Sequence, residues 1–311
     1  MGRRKTGRAI SGWVNLDKPI ELGSTPAVSI IRRLFDANKA GHAGTLDPLA
    51  TGILPIALGE ATKTVSFMQD AAKRYQVDIC FGAATNTDDL EGEVVATSPQ
   101  RPSTQEIADA LAHFIGDIEQ VPPKFSAIKK DGQRAYALAR AGKNVELAAR
   151  RVHINQIDLL ARPCEDTATL EVGCGKGVYI RALARDLARF LGTQGHVSRL
   201  RRTQVGVFDE KNAIGLEKLQ LLGHSAPDLV ALDACLLPLT TPLDDIPAVA
   251  VSDTEASRIK QGQAISPQSL IAPSGTIMEP GQEVYVHCAH QPIAIARVDA
   301  GIVKPLRVFN L

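Results

Sequence analysis

Long apolar runs are missing from this chain. No stretch approaches the roughly 18 residues a membrane-spanning helix needs. The basic cluster Arg3, Arg4, Lys5 and Arg8 is not followed by an apolar segment of signal-peptide length. The five cysteines, Cys80, Cys164, Cys174, Cys235 and Cys288, are odd in number, scattered and never spaced Cys-x-x-Cys. That argues against both a disulfide framework and a zinc site, and leaves the expectation of a soluble protein in a reducing cytoplasm, without a metal. Also absent are a Gly-x-x-x-x-Gly-Lys-Ser/Thr phosphate loop, any internal repeat and any low-complexity tract. Net charge is nearly absent too, at +1. The balance is uneven, however: residues 1–120 carry 12 basic and 15 acidic side chains, residues 121–202 carry 16 and 7, and residues 203–311 carry 7 and 12. A basic middle third in a neutral protein points to one polyanion-facing surface, or else to a solvated face with acids nearby in space.

With 311 residues, 44% hydrophobic and 22% charged, the chain has material for two ordinary cores. Val14 to Lys18 alternates as a strand. Ser24-Thr25-Pro26 offers a cap and first-turn proline for a helix through about Asp36. Tyr75 to Phe81 is a strand by alternation, Asp88 to Gly92 an acidic turn, and Ser103 with Glu106 a capping box for a helix to about Ile115. From Val121 the chain becomes basic and loop-rich. Lys124, Lys129, Lys130, Arg134, Arg140, Lys143, Arg150 and Arg151, with Phe125 and Tyr136, suit nucleic-acid contact, the bland alternative being a well-solvated excursion. Strands at Ala168–Val172 and His196–Val207 flank an amphipathic helix, Tyr179 to Leu191. Its Arg181, Arg185 and Arg189 stand four apart like a surface stripe. Arg181, though, lies at the helix N-terminus, where the dipole disfavours a cation that lacks an anionic partner. Thr240 to Pro247 reads as a linker, and the short strands beyond it, around one small helix, as a β-rich barrel of the last residues, 246–311.

The chain is organised around Gly41 to Lys63. Gly41, Gly44, Gly52 and Gly59 surround one carboxylate, Asp47, and Pro48 biases that aspartate toward extended geometry. An acid in a stiff loop is placed rather than left to wander; taken alone, Asp-Pro is turn punctuation. The loop runs into Ile53 to Leu58, a buried strand that Pro55 is expected to confine to an edge or bulge.

A competing motif is Leu170-Glu171-Val172-Gly173-Cys174-Gly175-Lys176-Gly177, which resembles the first motif of S-adenosylmethionine-dependent methyltransferases. That motif should open a run of βαβ units, whereas one helix, an Arg-rich strand and a domain boundary follow here. A non-catalytic RNA-binding protein is the other alternative; such a module needs no mounted acid.

The Gly41–Lys63 stretch closely resembles the catalytic motif of the TruB-type tRNA pseudouridine synthases. Leu16-Asp17-Lys18-Pro19, Lys73-Arg74-Tyr75, Gly177-Val178-Tyr179-Ile180-Arg181 and Leu200-Arg201-Arg202 are similar to other motifs of that family, so the likeness covers nearly the whole chain. After Pro19 the chain departs from the family's short Gly-x-Thr-Ser turn. The resemblance implies an α+β pseudouridine synthase fold over residues 1–240, a mixed and mostly antiparallel sheet flanked by helices, followed by a small C-terminal β-barrel PUA-like domain. It implies isomerisation of uridine 55 in the T loop of tRNA. Asp47 would be the catalytic aspartate that initiates glycosidic cleavage, Arg181 would keep it ionised and oriented, Tyr75 would stack on the flipped base and is a candidate for handling the C5 proton, and Leu200 would pack beside it. His42, Lys18, Lys124, Lys129, Lys130 and Arg134 would hold the RNA, the last four on a basic insertion at about 122–152. It implies neither cofactor nor metal, tRNA as the partner, and a monomer.

Overall fold

The computed structural model of the chain describes residues 7–126, 128–130, 133–140, 146–225, 229–266 and 279–311. Alternation builds the strands: in Lys73–Phe81 residues 73, 75, 77, 79 and 81 are buried and those between are not, the period of a pleated strand with one face in a core. The larger sheet is made of β1 (Gly12–Lys18), β2 (Ala40–His42), β3 (Ala50–Leu58), β4 (Lys73–Phe81), β5 (Gly116–Gln120), β6 (Arg150–Cys164), β7 (Thr167–Cys174), β8 (Gly195–Val205), β9 (Phe208–Asp209) and β10 (Ile214–Gly215). Its order is β10-β1-β3-β8-β4-β7-β6-β5, with β2 against β3 and β9 against β8. Only β1–β10 and β3–β8 run parallel, so the sheet is mixed and mostly antiparallel, as expected. Helices Ser24–Leu34 and Ile180–Phe190 bury Ala27 and Ile31, and Leu183, Ala184 and Leu187, in one core with Leu54, Ile56, Val77, Ile79 and Leu170. The β7 strand is antiparallel to both neighbours, so Gly173–Gly177 does not close a βαβ unit and the methyltransferase reading falls.

Two local expectations are corrected. Ser24 does not cap its helix: Gly23 is the N-cap, and the Ser24 hydroxyl instead accepts from Leu46 N and donates to Leu46 O, each at 2.8 Å. Pro55 does not sit on an edge. It faces Asn15 of β1 on one side, and on the other it lies where the partner of β3 changes from β8, paired at 50–52, to β2, paired at 56–58. Its carbonyl there accepts from Ala43 N at 3.0 Å. An imino acid, lacking an N–H, is tolerated at such a hand-over.

Gly52 occupies the tightest point of the β3–β8 pairing, opposite Arg202, at φ +100°, and a Cβ there would run into the Arg202 carbonyl. Backbone clash and left-handed strain would act together. Gly52→Ala is therefore expected to lower the unfolding free energy by about 3 kcal/mol or more, read from the denaturant midpoint.

The remaining strands, β11 (Ala248–Ala250), β12 (Glu283–Cys288), β13 (Gln291–Asp299) and β14 (Ile302–Val308), form a second sheet in that order, against which helix Asp253–Lys260 packs. The expected linker is fastened rather than loose. Thr241–Leu243 forms a 3-10 turn whose Pro242 and Leu243 are buried, and Leu243 packs with Trp13, Phe208, Ile295 and Phe309 from both sheets. The end of the organising stretch grips the C-terminal strand directly. Lys63 Nζ donates to Val308 O at 2.6 Å, Asn310 N to Glu60 Oε2 at 2.8 Å, and Arg307 to Lys63 O and Ser66 Oγ at 2.5 and 2.7 Å.

Candidate active site

Asp47 lies on the connection between β2 and β3, which is tied down at both ends. Ser24 holds Leu46. Arg202, 1% exposed, donates to Gly44 O, Thr45 O and Ile53 O at 3.1, 3.3 and 2.7 Å. Lys18, fully buried at the end of β1, donates to Pro19 O, Leu22 O and Pro48 O at 2.9, 2.6 and 3.2 Å. This is where the turn after Pro19, which departs from the family's usual one, closes: around the Lys18 ammonium. Lys18 thus braces the residue next to Asp47 and lies outside the cavity, so it does not occupy the RNA-contacting position expected of it.

Burial pushes the Lys18 pKa down to about 8, against the pull of Asp47. The unfolded chain, with an ordinary lysine near 10.4, then binds more protons than the folded one between pH 8 and 10.4, and stability from this group rises with pH across that window. Below pH 8 the full cost of burying the charge applies. The Lys18→Met chain should show a shallower rise of unfolding free energy than the parent from pH 8 to 10, measured by denaturant titration at each pH.

The Arg181 guanidinium, 6% exposed at the start of helix Ile180–Phe190, reaches Asp47 Oδ2 at 2.9 Å and Asp89 Oδ2 at 3.2 Å. It also donates to Thr87 O and Phe125 O at 2.8 and 2.9 Å. Asp89 is fixed in turn by the Thr87 hydroxyl at 2.6 Å and Glu91 N at 3.0 Å. One turn along, Arg185 pairs with Asp88 at 3.0 Å, and burial raises the Asp88 pKa against that pairing. The two arginines are therefore interior groups facing the Asp88-Asp89 turn rather than a surface stripe.

Asp47, Thr87, Asp89, Phe125 and Arg181 line a cavity of about 480 Å³, the size of a small-ligand pocket. Tyr75 from β4 and Leu200 from β8 stand in its wall, 9% and 8% exposed. Burial raises the Tyr75 pKa, so the phenol keeps its proton at neutral pH. Asp47, Arg181, Tyr75 and Leu200 are thus brought together. His42, half-buried at the end of β2, lies outside the cavity wall, as does the exposed Lys124. Lys129, Lys130 and Arg134 belong by backbone to a small hairpin, Lys129–Lys130 against Gln133–Arg134, but their side chains lie outside the described residues.

Sequence reasoning missed Asp89, Arg202 and Lys73. Lys73 lines the cavity with its pKa pushed down to about 8, chiefly by burial and then by Arg202, its ammonium bonded to Gln69 O and Ala71 O at 2.6 and 2.5 Å. The acidic pair was visible at Asp88-Asp89; that one acid faces Arg181 required the fold. Among the described residues no three His, Cys, Asp or Glu side chains are grouped to hold a metal ion, and no helix is long and apolar enough to cross a membrane.

The fold is that of a pseudouridine synthase. In backbone the chain matches one of a crystal structure of a Cbf5-Nop10-Gar1 complex with a TM-score of 0.73 over 96% of this chain and 85% of that one, at 24% identity. A chain of an H/ACA RNP bound to a substrate RNA containing 2′-deoxyuridine matches at TM-score 0.73 and 21% identity, over 100% of this chain and 92% of that one. The protein belongs to the TruB family of pseudouridylate synthases. The model of that family's N-terminal domain matches residues 32–180, and that of the tRNA pseudouridylate synthase B C-terminal domain matches residues 181–244. The chain is 50% identical to tRNA pseudouridine synthase B of Caulobacter sp. (strain K31) over 100% of both chains. It is 52% identical to that of Bradyrhizobium diazoefficiens over 99% of this chain and 88% of the other.

Proposed function

We propose that the protein isomerises uridine to pseudouridine in tRNA, at position 55 of the T loop, with Asp47 as the catalytic carboxylate. The observation that carries the reading is a carboxylate mounted on a braced loop and held at 2.9 Å by a buried arginine inside a nucleoside-sized cavity, in a chain of this family. The uridine leaves the T-loop stack, its unstacking cost offset by contact with Tyr75 and Leu200. Asp47 initiates cleavage of the bond from C1′ to N1. The uracil turns and rejoins through C5, a proton leaves C5, and N1 ends protonated, so atoms and electrons balance without any cofactor. The protonated Tyr75 suits a stacking role in the resting enzyme; any part as a base would follow a change in its surroundings on RNA binding.

Arg181 aims the Asp47 carboxylate, which it meets at 2.9 Å. The basic insertion at about 122–152, with Lys124, Lys129, Lys130 and Arg134, grips the T arm, and His42 supports the rearranged loop. Residues 1–240 form the catalytic domain and 246–311 a PUA-like RNA-binding domain. The enzyme works as a monomer in the cytoplasm, where tRNA is found.

The test is release of tritium from 5-tritiated uridine in an unmodified tRNA transcript. Release in proportion to pseudouridine formed supports the reading; tight RNA binding with no release would return the protein to the non-catalytic RNA binders.

A further inference from the structure

One group in the cavity wall is left without work by this mechanism. Ser126, 3% exposed, lines the cavity, and its hydroxyl has no hydrogen-bond partner among the described residues. An unsatisfied buried hydroxyl is a standing cost to the free protein. Only one other buried side-chain atom in the described wall of the cavity shares that condition, Arg181 Nε. The Tyr179 phenol interacts with the Ser126 hydroxyl, which opposes the rise that burial imposes on the phenol's pKa, but the contact falls short of hydrogen-bond geometry.

The backbone of Ser126 is fixed on both flanks. Phe125 O accepts from Arg181 at 2.9 Å, and Ser126 O accepts from Tyr136 N at 3.0 Å. The hydroxyl can still turn: one χ1 rotation carries it between staggered positions at a residue that already borders the cavity, and what it gives up is only an off-geometry contact with the Tyr179 phenol. Its place decides what it would meet. Phe125 O and Asp47 Oδ2 share the same nitrogen of Arg181, each at 2.9 Å, so Ser126 is one residue from the point where Asp47 is held. Asp47 must face C1′ of the nucleotide, while Tyr75 and Leu200 take the base from the sheet side.

We propose that Ser126 is a substrate-binding residue whose hydroxyl bonds the 2′-hydroxyl of the target ribose, so that the cavity discriminates ribose from deoxyribose. The inference rests on the isomerase reading above. A serine hydroxyl both donates and accepts, which matches a 2′-hydroxyl in either orientation. The bond forms from a hydroxyl that was already desolvated, so its full strength is expressed on binding.

The test uses the full chain in an Asp47→Asn background, where neither RNA turns over, and T-arm stem-loops with uridine or 2′-deoxyuridine at the target. Asp47→Asn should bind the ribose form about three- to tenfold more tightly. Adding Ser126→Ala should weaken the ribose complex alone and erase the preference, Ser126→Thr should keep it, and Ser126→Cys, close in size but a poor partner, should behave as Ser126→Ala. Equal affinities with Ser126 present, an unchanged ratio without it, or an equal loss on both RNAs overturns the assignment. Tritium release by the parent from the ribose RNA, measured alongside, reports separately on the isomerase reading.

Discussion

Asp47→Asn is expected to release no tritium above background, a loss of roughly 10⁴-fold or more, while binding unmodified tRNA within about threefold of the parent. The amide has the shape of the carboxylate but can neither attack C1′ nor take a proton from C2′, so both routes to glycosidic cleavage close. The surroundings should survive the change. Arg181 keeps Asp89, Thr87 O and Phe125 O, and the loop keeps its ties to Ser24, Arg202 and Lys18, none of which uses the Asp47 side chain. A side chain that is 38% exposed in the cavity contributes little to packing. An unchanged unfolding midpoint with unchanged RNA affinity would therefore isolate the chemical role. Residual turnover within about a hundredfold of the parent would sink it, since binding and flipping alone do not break the glycosidic bond at that rate.

How much of this could be read from the chain depends on the reach of each interaction. Asp47 was legible because its constraint is local, with glycines and a proline within a few residues. Arg181 was legible because a cation at a helix N-terminus conflicts with the dipole and so demands an anion. The anion's second half, Asp89, was hidden: it reads as turn punctuation, and its partner lies more than ninety positions away. Arg202 was hidden for the same reason. In sequence it is one of three arginines in a basic strand; in the fold it is the group that fixes the backbone on both sides of Asp47. Lys18 shows the reverse error, since a lysine beside a catalytic motif in an RNA-directed protein invites a phosphate, and only burial shows that its three donors are spent on carbonyls. Pro55 misled through a sound rule applied to too regular a sheet, for a strand can change partners midway and leave one N–H position unneeded.

Arg181→Met should cost more stability than any other single change in the site, because it removes the cation that Asp47 and the buried Asp89 share. Asp89 has a side chain only 9% exposed, and without the guanidinium it faces Asp47 across the space the cation filled. Breaking a buried pair in this way typically costs about 3–5 kcal/mol, and the rate should fall by a further factor of roughly 10² or more as Asp47 loses its aim. The pH dependence identifies the cause. An unpaired buried carboxylate has its folded pKa raised above the unfolded value, so the folded variant binds more protons and loses stability as pH rises. The gap in unfolding free energy between parent and variant should thus be widest near pH 8 and narrow toward pH 5. A pH-independent gap would mean that lost packing, not stranded charge, is the defect. Arg181→Lys separates stability from catalysis: an ammonium restores the charge but cannot bridge Asp47, Asp89, Thr87 O and Phe125 O at once. Stability should return in large part, and turnover should not. That division is expected if the planar fork, rather than the positive charge alone, links the basic insertion through Phe125 to the orientation of the Asp47 carboxylate.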